Sequence, residues 1–371
     1  MESIGLYIHV PFCVSKCPYC DFYSLPTVTE EWLDRYTDGV LFSLDRWAER
    51  LPCTADTLYF GGGTPALLGG ERLSRIVKRA GERFRLFDGS PEITLEANPA
   101  DNLRDTFAAF AAAGGNRLSL GMQSAYPSEL AVLGRRHTPA DVERAVEDAR
   151  AVGIANLSLD VMLGISGQTE ASALGSVQRV ADLGATHASA YLLKLEPHTP
   201  YGQCPPPLPE EDDTADLYLA VMERLEQLGY SQYEISNAAR AGCESRHNLK
   251  YWDSRPYLGI GPAASSCIGT RRFTYPRDIS AFLDGGEPLP EEDSGIPVGS
   301  PQEYALLRLR LTQGLPEAGY VARYGEPIPA AWHHRAAALP PHLVVTDEAG
   351  IRLTREGFLL SNTLISHIIG K

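Results

Sequence analysis

No uninterrupted apolar run in this 371-residue chain approaches the roughly 20 residues that a membrane-spanning helix needs. The opening, MESIGLYIHVPF, also lacks the basic start and long apolar core of a secretory signal, so a cytoplasmic protein is expected. Positive charge is in short supply: 33 Lys and Arg stand against 47 Asp and Glu, a formal net charge of −14. That deficit argues against nucleic acid as a partner and against an anionic membrane as the main one, leaving peripheral membrane association open. Cysteine is scarce too. There are seven, an odd number, and no second cysteine pair accompanies Cys13, Cys17 and Cys20. In a reducing compartment this excludes a disulfide framework and points to metal or cluster binding. Cys53, Cys204, Cys243 and Cys267 are scattered, and each reads as a buried or incidental thiol.

What is present is enough apolar residue, 44%, for a full core: one large domain plus a smaller one, or a single elaborated α/β barrel. Strand patterns at Leu6–Val10, Thr57–Phe60, Glu92–Ala97, Arg117–Leu120, Leu157–Met162 and Ala188–Leu193 alternate with helical ones. The helices are expected near Glu31–Arg50, Glu71–Phe84, Leu103–Ala113, Ala140–Val152 and Ala171–Leu183. That rhythm is one of βα units on a parallel sheet, and six units suit an open, partial (β/α)6 barrel. The acidic run Glu210–Asp213 reads as the solvated start of a helix, favoured by the dipole, and β structure is expected at Tyr230–Ser236 and Tyr257–Ile260. Gly285–Pro301 reads as a linker between a core spanning 1–285 and a C-terminal domain spanning 301–371. The second part runs helix, helix, strand pair (Leu343–Thr346, Ile351–Thr354), helix, which is winged-helix-like. It has no basic stripe, so packing or partner contact is expected of it rather than DNA binding.

In such folds chemistry gathers at the carboxyl ends of the strands, and the unusual residues sit there. Cys13-Val-Ser-Lys-Cys17-Pro-Tyr-Cys20 follows the first strand. Three thiolates can ligate three irons of a [4Fe-4S] cube and leave the fourth open. A zinc site would need a fourth ligand, such as His9 or Asp21, and the compact spacing suits a cube better. Gly61-Gly62-Gly63-Thr64-Pro65 follows the second strand, where glycines let the backbone approach a ligand; it lacks the lysine of a phosphate loop. Glu96-Ala97-Asn98-Pro99, Gly121-Met122-Gln123-Ser124 and Asp160 fall at or near the next three strand ends.

Tyr7-Ile-His-Val-Pro-Phe-Cys13, Cys17-Pro-Tyr-Cys20-Asp-Phe and the Gly-Gly-Gly-Thr-Pro loop together resemble the radical S-adenosylmethionine (SAM) superfamily. Leu133-Gly-Arg-Arg-His137, Leu159-Asp-Val-Met, His247-Asn-Leu-Lys-Tyr-Trp252 and Tyr257-Leu-Gly-Ile-Gly261 extend the resemblance over nearly the whole chain. They narrow it to the branch holding oxygen-independent coproporphyrinogen III oxidase and a heme chaperone. The resemblance implies a [4Fe-4S] cluster on Cys13, Cys17 and Cys20, with SAM against its open iron. Tyr7, Tyr19, Gly62, Gly63 and Thr64 would lie against SAM, Glu96 would hold its polar end, and Gln123, Arg135 and Asp160 would line the same pocket. Carboxylates suit ribose hydroxyls, and an arginine suits a carboxylate.

Within the branch, Tyr19 and Phe22 stand where the oxidase pattern has Phe and a further cysteine, which is the chaperone form. The segment His247–Trp252 matches the HNxxYW motif associated with heme in that subgroup, so His247 is expected to contact heme. The chaperone reading implies recipient apo-hemoproteins of the respiratory chain and an electron donor such as a flavodoxin. The rival reading is coproporphyrinogen III oxidation or another radical reaction on a tetrapyrrole. A pure electron-transfer or scaffold protein would leave the glycine loop and pocket residues idle. One departure stands out: Pro-Ala-Ala-Ser-Ser-Cys follows Gly261 where relatives carry a Gly-Ala-His-type turn, so no role of that histidine transfers. His9, His137 and His187 are expected to be structural.

Overall fold

The computed structural model describes residues 3–26, 29–100, 102–290 and 295–370. Six strands, β1 (Ile4–Val10), β2 (Ala55–Gly62), β3 (Glu92–Ala97), β4 (Arg117–Gln123), β5 (Asn156–Leu163) and β6 (His187–Leu192), lie side by side in chain order, all parallel. Between them run α1 (Glu30–Arg50), α2 (Gly69–Phe84), α3 (Arg104–Ala112), α4 (Pro127–Val132), α5 (Pro139–Ala151) and α6 (Glu170–Asp182). Thr29, Thr138 and Thr169 cap α1, α5 and α6, the last two through reciprocal capping boxes with Asp141 and Ser172. These are the βα units expected from the sequence.

Strand alternation divides the two faces. Leu6, Ile8, Leu58, Phe60, Ile93, Leu95, Leu118, Leu120, Leu157 and Leu159 are buried in one large apolar core. The intervening positions carry Tyr7, Tyr59, Glu96, Arg117, Ser119 and Asp160 on the inner face, which is therefore polar. After β6 come α7 (Pro200–Gln203) and α8 (Glu211–Gln227), whose first turn holds the acidic run, as expected.

The parallel sheet is extended at both sides and, among the described residues, is open. Strands β7 (Ser231–Gln232) and β8 (Asn237–Ala239) add antiparallel beyond β6. Helix α9 (Arg246–Trp252) precedes β9 (Tyr257–Ile260), which pairs parallel with β1. Then β10 (Ser265–Ile268), β11 (Arg271–Thr274), α10 (Ile279–Leu283) and β12 (Leu289–Pro290) complete a 12-stranded sheet with β12 and β7 at its edges. The strand expected over Tyr230–Ser236 shrinks to two residues, because Tyr233 turns inward and its hydroxyl bonds His187.

The C-terminal part builds α11 (Pro301–Arg308), β13 (Leu315–Pro316), α12 (Glu317–Tyr324), α13 (Ala330–Ala337), β14 (Val344–Asp347), β15 (Gly350–Leu353), α14 (Arg355–Leu359) and α15 (Ser361–Ile369) around a separate core that includes Tyr320, Trp332 and Ile365. Its sheet has three strands, since β13 joins the expected pair. It meets the barrel through the Arg308–Asp253 and Arg355–Glu226 ion pairs. Residues 291–294 of the expected linker lie outside the described residues.

Candidate cofactor site

The segment after β1 is pinched at its neck: Leu25 N–H donates to Pro11 O at 2.8 Å and Cys13 N–H to Leu25 O at 3.0 Å. This closes the cysteine segment into a loop over the carboxyl ends of the strands. Cys13, Cys17 and Cys20 are free thiols that line one cavity of about 510 Å³. Among the described residues no three metal-ligating side chains converge on a single point. Three thiols on one cavity can ligate three irons of a cube.

The glycine loop is tied to the same segment. Gly63 N–H donates to Val10 O at 2.8 Å and Thr64 N–H to Phe12 O at 2.6 Å. Thr64 Oγ1 reaches Cys13 Sγ at 3.6 Å. Here glycine is required: Gly62 has φ +109°, and a Cβ on Gly63 would lie 2.4 Å from the Phe12 carbonyl oxygen. The loop thus brings bare backbone to the cavity wall.

Below it two carboxylates face the cavity. Glu96 accepts from Tyr59 OH at 2.7 Å and from Gly62 N–H at 3.3 Å. Asp160 accepts from Ser119 Oγ at 3.2 Å. Burial pushes Glu96 up to about 7 and Asp160 up to about 6, against the hydrogen bonds each accepts. On the opposite wall Arg135 donates to Gly121 O at 2.9 Å and approaches Cys17 Sγ at 3.8 Å. Gln123 holds a left-handed φ of +64° at an irregularity in the β4–β5 register, and its Oε1 accepts from Tyr191 OH at 2.7 Å. The cavity therefore offers thiols, a cation, carboxylates and free backbone within one enclosure.

Of the residues expected at the SAM pocket, Tyr19, Gly62, Gly63, Thr64, Glu96, Gln123, Arg135 and Asp160 all line this cavity. Tyr7 does not. It lies behind Tyr59, with its ring 6.2 Å away, its hydroxyl 3.0 Å from His9 Nδ1, and a face on a second cavity of about 300 Å³. It is the register partner of Tyr59, so it stands level with that residue but on the β1 side, toward the second cavity.

His247, expected to contact heme, also lies outside this cavity. It is 1% exposed, with Nδ1 2.8 Å from Thr57 Oγ1 and Nε2 2.8 Å from Tyr251 OH. Glu92 accepts from the backbone N–H of Arg246 and His247, which anchors the start of α9 under the barrel. Lys250, also buried, pairs with Asp56 at 2.7 Å. Burial pushes the imidazole down to about 3 and keeps it neutral. In this arrangement the HNxxYW helix is the barrel floor, and neither ring nitrogen is open to an iron.

Sequence reasoning missed Tyr59, Ser119, Ser189, Tyr191 and Asn237, which also line the cavity. A signal existed. Buried parallel strands usually read as continuous apolar runs, whereas here polar residues recur at every second position, as in Thr94-Leu-Glu96, Arg117-Leu-Ser119 and Ser158-Leu-Asp160. His9, His137 and His187 are buried and hydrogen-bonded, as structural residues are.

Comparison with known proteins agrees with this geometry. Residues 7–180 match the family model of the radical SAM superfamily. A heme chaperone HemW from Mycobacterium tuberculosis is 36% identical, covering 100% of this chain and 95% of its own length. HemW of Escherichia coli is 36% identical over 88% of this chain and 87% of its own, and that of Bacillus subtilis 31% over 98% and 99%. The solved structure of coproporphyrinogen III oxidase (HemN) from Escherichia coli superposes with a TM-score of 0.82 at 21% identity, covering 99% of this chain and 90% of that one, and so shares the fold. With relatives above 30% identity aligned end to end, the chain belongs to the HemW heme-chaperone family of the radical SAM superfamily.

Proposed function

We propose that this protein binds heme and passes it to apo-hemoproteins, using a SAM-ligated [4Fe-4S] cluster as a resident cofactor. The observation that carries the reading is the end-to-end match to heme chaperones, joined to a cavity that holds the three cysteines with the glycine loop and two carboxylates. Cys13, Cys17 and Cys20 would hold the cluster. The Gly62–Thr64 backbone, Glu96, Gln123, Arg135 and Asp160 would hold SAM, with Tyr19 against it. When bound, the pair supplies reductive cleavage of a sulfonium carbon–sulfur bond. This chain's residues do the rest: Arg135 offers a cation to a carboxylate, Glu96 and Asp160 accept from hydroxyl and amine groups, and the cysteine loop covers the site against water.

The recipients fit respiratory-chain apo-hemoproteins, and a flavodoxin-type donor fits a cluster near the surface. No described helix is long and apolar enough to cross a membrane. A cytoplasmic location, with peripheral membrane contact open, belongs to the same proposal. The division near residues 285–301 separates a cofactor-binding core from a module for packing or partner contact. Heme contact by His247 would require α9 to leave the barrel floor.

Titrating heme into anaerobically reconstituted protein, followed at the Soret band, tests the proposal. A saturable heme-specific spectrum is expected, and its absence would remove the chaperone reading. Conversion of coproporphyrinogen III with SAM and a reductant would favour the oxidase instead.

A further inference from the structure

Arg117 is enclosed at the centre of the barrel, 2% exposed, and is the largest of the fully buried side chains. Among the described residues its guanidinium has no hydrogen bond or ion pair, and its Nε is buried without a partner. Thr94, its register partner on β3, has a buried Oγ1 with no partner either. A buried charge without a partner is strongly unfavourable unless opposite charge shares the same low-dielectric enclosure.

The groups that face it narrow the choice. On the β6 side His187 spends its ring nitrogens on Ser158 Oγ at 2.7 Å and Tyr233 OH at 2.8 Å. From below, both nitrogens of His247 are used, as described above, and burial with the nearby cations Lys250 and Arg117 keeps it neutral. Glu92 is engaged by the start of α9, and Asp56 by Lys250. On the β2 side stands Tyr59, whose hydroxyl is already donated to Glu96. Glu96 itself also faces Tyr7 on β1 and Tyr251 on α9, and Asp160 faces Ser189 on β6 and Arg135 at the rim. The carboxylates left to answer the guanidinium are those two, one inward layer above it: Ser119, two residues on from Arg117 along β4, donates to Asp160 and is the register partner of Glu96.

We infer that Arg117 is a positioning residue for the cofactor site, the internal counter-charge of Glu96 and Asp160 that holds both as acceptors at the base of the cavity. The inference rests on the reading that this cavity takes SAM. Arg117 touches no ligand; it acts through the two carboxylates. The sign of its effect follows. Glu96 and Asp160 lie near 7 and 6 with burial raising them and Arg117 among the groups lowering them. SAM affinity falls as pH drops through this range, and loss of Arg117 moves the fall to higher pH.

The test is calorimetric titration of SAM onto anaerobically reconstituted full-length protein, from about pH 6 to about pH 9, for wild type, Arg117→Met and Arg117→Lys. Arg117→Met is expected to bind on the order of tenfold more weakly at neutral pH, the equivalent of one pKa unit, and to recover as pH rises. Arg117→Lys keeps the charge and is expected to stay near wild type, and this variant also carries the test if the Met variant does not fold: a weakening that ignores pH overturns the inference. So does an Arg117→Met profile that runs parallel to wild type at every pH. Absence of SAM binding by wild type at any pH would instead bring down the cofactor reading on which the inference stands.

Discussion

Arg135 bridges the two halves of the cofactor cavity: one guanidinium nitrogen donates to Gly121 O at 2.9 Å and the other points at Cys17 Sγ at 3.8 Å. The residue comes from the short turn after α4, so the strand-end loop of the fourth βα unit is held against the loop of the first. With a cluster held by Cys17 as proposed, a cation beside that ligand would stabilise the more negative, reduced state. Replacing Arg135 with Gln removes an interaction of about 1 kcal/mol, which corresponds to a shift of roughly 40 mV to lower potential for a one-electron couple. Redox titration of the reconstituted cluster by EPR measures it, and an unchanged midpoint would refute the role.

The glycine loop gives a second expectation. A Cβ on Gly62 would fall 2.7 to 2.9 Å from the His9 ring, and the residue sits at φ +109°. Gly62→Ala should therefore displace the loop from the cysteine segment at a cost of about 2 kcal/mol or more. Thermal melting should report the loss, together with SAM affinity reduced by at least about tenfold. A variant that melts with wild type and binds SAM normally would show that the close approach is not needed.

Glu96 governs a stability slope. Its folded-state value, raised by burial to about 7, lies above that of an unfolded glutamate, so the stability it contributes is present in acid and is lost as pH rises from about 4.5 to 7. The ligand-free protein should lose up to on the order of 3 kcal/mol across that window through this group, less whatever cavity water screens. Glu96→Gln should flatten the slope and raise the melting temperature at pH above about 7, while abolishing tight SAM binding. Melting curves of wild type and variant that keep a constant gap across pH would contradict this.

His247 shows the opposite slope. Burial lowers it to about 3, well below an unfolded histidine, so its contribution is present above about pH 6.5 and is lost as pH falls toward 3. His247→Ala leaves Thr57 Oγ1 and Tyr251 OH without their partner inside the barrel floor, and should destabilise by about 2 to 4 kcal/mol. Denaturant unfolding checks the magnitude. A variant as stable as wild type that has lost its heme Soret shift would return the residue to the role of ligand.

Much of the site was legible before any tertiary structure, because its residues follow strand ends and strand ends are readable. Cys13, Gly62 and Glu96 each close or follow a short β-branched or aliphatic run, and the parallel alternation puts such ends on one rim. That Tyr7 and His247 stand outside the cysteine cavity was not legible. Depth inside a barrel depends on register between strands, as in the pairing of Gly5 with Thr57 and Tyr257, and register is a long-range property. Likewise nothing local marks β13, which becomes a strand only because β15 is there to pair with it.

The amino-acid order by itself determined the βα rhythm, the three-cysteine loop, the glycine turn and the family, since each depends on neighbours within a few residues or on a long unbroken likeness. Only the folded chain decided what the barrel interior contains. Hydrogen-bond register and the anchoring of α9 on Glu92 set which polar groups meet in a low-dielectric space, and there His247 became a floor and Arg117 a charge facing two carboxylates.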